Sequence, residues 1–189
     1  MDPVIVLVAL YRIAGSLLVV RWPFWGGIAA VACDLFDLLA FNLFVVYGSW
    51  PGFDGYQSFD KWTDQVYLVA FLIVALRDFA PGPRMVAAGL WLFRFVGFVA
   101  FEAGWAPREA LILFPNLFEF WFLAVAFTMR YRPGFAWTPA WSTLVLGGLL
   151  GLKIVQEWAL HVGRVFDGTT FLGALELIWQ GLTAPFRGR

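Results

Sequence analysis

The sequence predicts an all-α fold: a polytopic transmembrane helical bundle of six or seven spans joined by short loops. Three observations predict it. First, of 189 residues 61% are hydrophobic and only 14% are charged, where a soluble domain carries about 25% charged residues. Second, the mean hydropathy is +0.77, and a soluble chain of this length lacks the interior to hide so much apolar surface. Third, aromatics make up 20% of the chain, with 11 Trp and 21 Phe. Trp and Tyr favour the headgroup level of a bilayer, where an amphipathic ring suits both neighbours.

A span needs about 20 mostly apolar residues. The first is expected near residues 4–20 and ends at Arg21-Trp22-Pro23, because proline removes a backbone donor. The second is expected near 25–47, before the turn-rich run from Gly48 to Gly52. A polar stretch from Asp54 to Gln65 leads into the third, near 63–76. Pro81-Gly82-Pro83 marks the next turn, and the fourth lies near 85–101. The fifth is expected near 110–129, with Pro115 inside its first turns, and Arg130 to Gly134 closes it. The sixth lies near 137–162. Asp167-Gly168-Thr169-Thr170 is a good N-cap sequence, so residues 170–183 form either a short seventh span or a helix in the interface. No repeat or linker divides the chain, so residues 1–189 read as a single integral membrane domain.

Net charge is zero and no long basic run occurs, so no nucleic-acid partner is expected. The lone cysteine, Cys33, has no intrachain partner and no zinc spacing, and reads as a small apolar filler. The N-terminus lacks a basic region and a cleavage site, so the first apolar stretch reads as a retained span. Lys and Arg in short loops resist translocation. One set of connections holds Arg21, Arg77, Arg84, Arg130 and Arg132, joined by Arg187 and Arg189 if there are seven spans; the other holds Lys61, Arg108 and Arg164. This bias predicts an outside N-terminus and, with seven spans, a cytoplasmic C-terminus. The expected surroundings are the lipid bilayer, with a second copy or a membrane-complex partner as possible protein neighbours.

An ionisable group at the bilayer centre costs at least about 2.5–3.5 kcal/mol, so it is kept only where it pairs, lines a cavity or works. Asp34 and Asp37 stand three apart on one helical face of the second span, with Arg12, Arg94, Lys153 or a metal as the cation that would let both ionise. Asp60, Asp64 and Tyr67 share a face at the start of the third, with Asp60 and Lys61 read as loop residues. Arg94 lies mid-way along the fourth, and Asn116 and Glu119 share a face of the fifth, so an Arg94–Glu119 pair is expected. Lys153, Glu157, His161 and Arg164 form a stripe on the sixth. The polar cluster is therefore expected from Asp34, Asp37, Asp64, Arg94, Asn116, Glu119, Lys153, Glu157 and His161.

Asp34-Leu35-Phe36-Asp37 followed by Asp60-Lys61-Trp62-Thr63-Asp64 resembles the carboxylate set of the CDP-alcohol phosphotransferases, which hold divalent metals. The resemblance implies a divalent metal on Asp34, Asp37, Asp60 and Asp64. The chain departs from that pattern: Leu38 stands where the family has glycine, the Ala-Arg pair is missing, and the gap between the halves is longer. The orientation above also puts Asp60 and Asp64 on the other side of the membrane. No motif for heme, nucleotide or a serine nucleophile occurs, and no cofactor is predicted beyond that metal.

Three functions fit these residues. One is a transporter-like protein with a buried acidic site for an ion, proton or small solute. Another is a membrane-embedded enzyme on a lipid or isoprenoid substrate, with metal-binding carboxylates and His161 in acid–base roles. The last is an accessory subunit of a larger membrane complex, whose ion pairs only hold helices together. No catalytic residue is assigned.

Overall fold

The computed structural model describes residues 3–34, 56–106, 113–157, 179, 180 and 183. Among them there are six helices and no strand. They are α1 (Pro3–Arg21), α2 (residues 23–34), α3 (Tyr56–Asp78), α4 (Pro81–Glu102), α5 (Leu117–Tyr131) and α6 (Pro139–Glu157). The later part of the expected second span lies outside the described residues, as does the expected seventh segment apart from residues 179, 180 and 183.

The chain divides into two compact units, Met1–Gly151 and Leu152–Arg189. In the second, Leu152, Ile154 and Trp179 are exposed, and the Thr183 hydroxyl donates to the Trp179 carbonyl at 2.8 Å.

Proline and polar caps set the ends of the first unit's helices. Trp22 breaks the run between α1 and α2, because Pro23 disfavours helical backbone at the residue before it. The reversal is tight. A Cβ at Gly26 would strike the backbone of Leu18, and one at Gly15 would lie 2.6 Å from the Cys33 Sγ. Small residues are what allow two helices to approach this closely. Between α3 and α4 the Arg84 guanidinium donates to the Phe79 carbonyl at 2.8 and 3.1 Å, covering an acceptor past the end of α3. Pro81 then starts α4, where its missing N–H costs nothing. Gly104 follows α4 at φ 70°, the left-handed conformation that lets a chain leave a helix with its last carbonyls satisfied.

Three helices differ from the expected spans at their starts: α4 begins at Pro81, so Pro81-Gly82-Pro83, expected as a turn, forms its first turn. α3 begins at Tyr56, so residues 60 and 61 lie in the helix rather than in a loop. α5 begins at Leu117, with Asn116 as its N-cap. Pro115 therefore precedes the helix instead of kinking it, as its lack of a donor makes natural.

α3 is the central element and touches α1, α4 and α5. Its Leu68, Phe71 and Val74 meet Phe118, Trp121, Phe122 and Val125 of α5 in a continuous core. The Phe71 and Phe122 rings stack with centroids 4.1 Å apart, and Phe79 stacks on Phe122 at 5.4 Å. Trp121 is fully buried, and its indole N–H donates to the Pro83 carbonyl at 3.1 Å, as a buried indole requires.

Around that apolar core, some polar side chains are buried while apolar ones on the same helices are exposed. On α1 the buried positions include Arg12 and Ser16, while Leu7, Leu10 and Leu17 are 55%, 59% and 63% exposed. On α3 Thr63, Asp64 and Gln65 are buried and Val69, Ile73 and Leu76 are exposed. Among the described residues, one helix, Pro81–Glu102, is by length and composition long and apolar enough to cross a membrane.

Candidate polar site

Arg12 organises the site. Val8, Arg12, Ser16 and Val19 recur at helical spacing along α1 and are all buried. The face they form is carried against α3 and the returning α2. The Ser16 hydroxyl donates back to the Arg12 carbonyl at 2.7 Å, which keeps it inside the helix's own hydrogen-bond ladder. The Arg12 side chain is 2% exposed, and one of its nitrogens, Nη2, contacts two carboxylates on two other helices. One is Asp34 of α2; the other is Asp64 of α3, with Oδ1 2.6 Å away. Asp34 is 32% exposed and Asp64 11%. Lys61, one turn before Asp64, brings its Nζ to 3.5 Å from the other Asp64 oxygen. Beside this group the Tyr11 hydroxyl donates to the Cys33 carbonyl at 2.8 Å, tying α1 to α2.

A second group lies next along α3. The Tyr67 hydroxyl donates to Glu119 Oε2 at 3.0 Å, and the Asn116 amide donates to the same oxygen at 2.9 Å. Asn116 is the N-cap of α5, its Oδ1 accepting from the Glu119 N–H at 3.4 Å. Glu119 is thus the third residue of the helix, where the positive end of the helix dipole favours a carboxylate. The arrangement is a variant of the capping box in which the two side chains also bond to each other. Tyr67 stands one turn after Asp64 on α3, so the two groups are neighbours along one helical face.

Arg94 does not take up the expected pair with Glu119. Its Nη1 donates to the Phe114 carbonyl at 2.7 Å, and among the described residues it makes no ion pair. The reason is local. Phe114 lies just before α5, so its carbonyl has no helical partner, and Gly97 lets the Phe114 ring approach α4 so closely that a Cβ there would sit 2.6 Å from it. At the same end, Glu102 accepts from the Ser58 hydroxyl and the Trp62 indole at 2.9–3.0 Å.

The other expected site residues fall as follows. Asp37 and His161 lie outside the described residues. Asp60 and Glu157 lie in α3 and α6, with their side chains outside what is described. Lys153 belongs to the second unit. Sequence reasoning counted Arg12 only among several possible cations and left Tyr67 out of the cluster. The signal for Tyr67 was present, since it shares a helical face with Asp60 and Asp64.

Among the described residues no three His, Cys, Asp or Glu side chains converge as a metal site. Asp34 and Asp64 already share a guanidinium, whose fixed donors occupy the space between them. Of the four carboxylates in that set, Asp37 and the Asp60 side chain lie outside the described residues.

At the opposite end of the helices Arg77 donates to the Val20 carbonyl at 3.0 Å, joining the ends of α3 and α1. It also grips the neighbouring Asp78 carboxylate at 2.7 and 2.8 Å. That hydrogen bonding holds the Asp78 carboxyl below the usual carboxylate range. No protein-family model, no curated protein and no solved structure matches this chain.

Proposed function

We propose that this chain is a polytopic helical membrane protein, transporter-like, that takes up a proton or another small cation at the Asp34–Arg12–Asp64 group. The observation that carries the reading is the inverted polarity of α1, with a guanidinium 2% exposed and leucines more than half exposed on the same helix. In water that arrangement loses on both counts, since the charge gives up its hydration and the leucines gain no burial. In lipid it is favourable. The most apolar stretch of α4 is only 17% buried, which is unlike the core helix of a soluble protein. Arginines at the ends of α1, α3 and α5 support an orientation with the N-terminus outside, as the positive-inside bias requires.

What supports a cation site is that two carboxylates on different helices, Asp34 and Asp64, share a single arginine nitrogen, so either can exchange the guanidinium for a proton or another small cation.

The test is proton and sodium flux in liposomes reconstituted with the purified chain, read with an internal pH dye and with a sodium indicator under an imposed gradient. Wild type is expected to dissipate at least one gradient faster than empty liposomes, and D64N to lose that flux while still inserting. Wild-type liposomes as tight as empty ones to both ions would overturn the reading. The pairing of Arg12 with both carboxylates also favours a second reading, an accessory subunit. That reading predicts no flux and a lower melting temperature for D64N.

A further inference from the structure

The end of the helices remote from the polar site carries a cavity that the proposed function does not use. It measures about 370 Å³, within the roughly 300–1,000 Å³ of small-molecule sites. It lies where the end of α1, the start of α2 and the end of α5 meet. Two guanidinium-bearing residues line it, Arg21 from α1 and Arg130 from α5. The other walls are apolar or aromatic: Trp22, Phe24, Trp25 and Met129. Phe24 is held edge-on to Trp25, Phe127 and Tyr131 at 5.2–5.6 Å, so the aromatic wall is a packed structure and not loose side chains. Arg130 lies 5.6 Å from the Tyr131 ring centre, which leaves its N–H groups available. Among the described residues neither arginine makes an ion pair, whereas Arg77 nearby is occupied by Asp78.

We propose that this cavity binds the phosphate headgroup of an anionic phospholipid. The inference rests on the membrane reading above. Among the described residues these two cations have no carboxylate partner, and guanidinium forks match phosphate oxygens in pairs. The tryptophans fix the depth, because indole rings favour the headgroup level. Arg21 and Arg130 both fall in connections assigned to the cytoplasmic side, where anionic lipids are concentrated. The apolar walls suit the glycerol and the first acyl carbons below the phosphate. A free phosphate ion would meet the same two arginines and make no use of those walls.

The test is native mass spectrometry of the detergent-purified full chain, titrated with phosphatidylglycerol, phosphatidylcholine of the same acyl chains, and inorganic phosphate. Wild type is expected to retain phosphatidylglycerol in clear preference to phosphatidylcholine. Each arginine near the surface contributes about fivefold, so R21Q/R130Q is expected to lose about thirtyfold in that preference. R132Q, which removes a charge from the same end but outside the cavity, keeps it. R21K/R130K recovers part of it, which a merely misfolded double variant would not allow. Equal retention of the two lipids by wild type overturns the proposal, as does an unchanged preference in R21Q/R130Q. Displacement of phosphatidylglycerol by millimolar inorganic phosphate overturns the lipid as occupant. A carbonate wash of membranes keeps the two levels apart. A chain that stays in the pellet but shows no lipid preference sinks only this inference, and a chain released to the supernatant sinks the membrane reading with it.

Discussion

Arg12 is the residue on which the interior depends. Removing one partner of a buried ion pair leaves the others as uncompensated charge, a loss of about 3–5 kcal/mol. R12Q is therefore expected to lower the melting temperature of the detergent-solubilised protein strongly. R12Q/D34N/D64N is expected to recover most of the loss, because the stranded carboxylates are gone. Thermal melting followed by intrinsic fluorescence measures both. Asp78 offers a gentler case at the surface. Its carboxyl is depressed in the folded protein by the Arg77 hydrogen bond, so it binds its proton less readily folded than unfolded. The stability it contributes is present above the unfolded pKa of about 3.9 and is lost as pH falls through the lower folded value. A melting series in acid is expected to decline less steeply for D78N than for wild type. At this scale much was legible in the sequence: a charge inside an apolar run must find company, which singled out Asp34, Asp64 and Glu119, with Asn116 on the same face as Glu119. The choice of partner was not. Which of three cations reaches Asp34 depends on which helices are neighbours, and Arg94 turned to a backbone carbonyl because a helix start left one bare at Phe114.

At the scale of the element, prolines and caps set the helix ends, and the sequence announced several of them. Pro23 and Pro81 both restart a helix as their chemistry demands. Pro115 was harder to read, since a proline serves before a helix or in its first turn, and only Asn116 acting as N-cap decides between them. Less legible was the closeness of α1 to α2. It rests on Gly26, where any side chain meets backbone, and on Gly15, where it meets a cysteine. Backbone cannot swing aside as a side chain can. G26A is accordingly expected to destabilise by several kcal/mol or to abolish accumulation, by overpacking against a rigid neighbour. G89A is the control: nothing lies within 4 Å of its added methyl, and alanine favours a helix over glycine by about 1 kcal/mol. G89A is expected to be neutral or slightly stabilising. Expression level and melting temperature of the two variants, measured side by side, check the contrast.

For the molecule as a whole, the distribution of polarity is the message. Composition alone predicted helices in an apolar medium, and the helices are present among the described residues. Composition could not say which face of each helix turns inward, because α1 and the later turns of α3 are apolar nearly all round and the polar residues decide the matter. Once Arg12, Asp64 and Tyr67 point inward, Leu10, Leu17, Val69 and Ile73 must point out. The charged ends then sort themselves, with Glu102 and the acidic group towards one end and Arg21, Arg77 and Arg130 at the other. All of this supposes that hydrocarbon bathes the outward leucines. The most direct measurement places nitroxide labels, one at a time, at Leu10, Leu17, Val69 and Ile73 in liposome-reconstituted protein. Their relaxation by oxygen, which partitions into lipid, is compared with relaxation by a water-soluble nickel chelate. High oxygen and low nickel accessibility at all four positions is the predicted result; labels relaxed mainly by nickel would contradict the account.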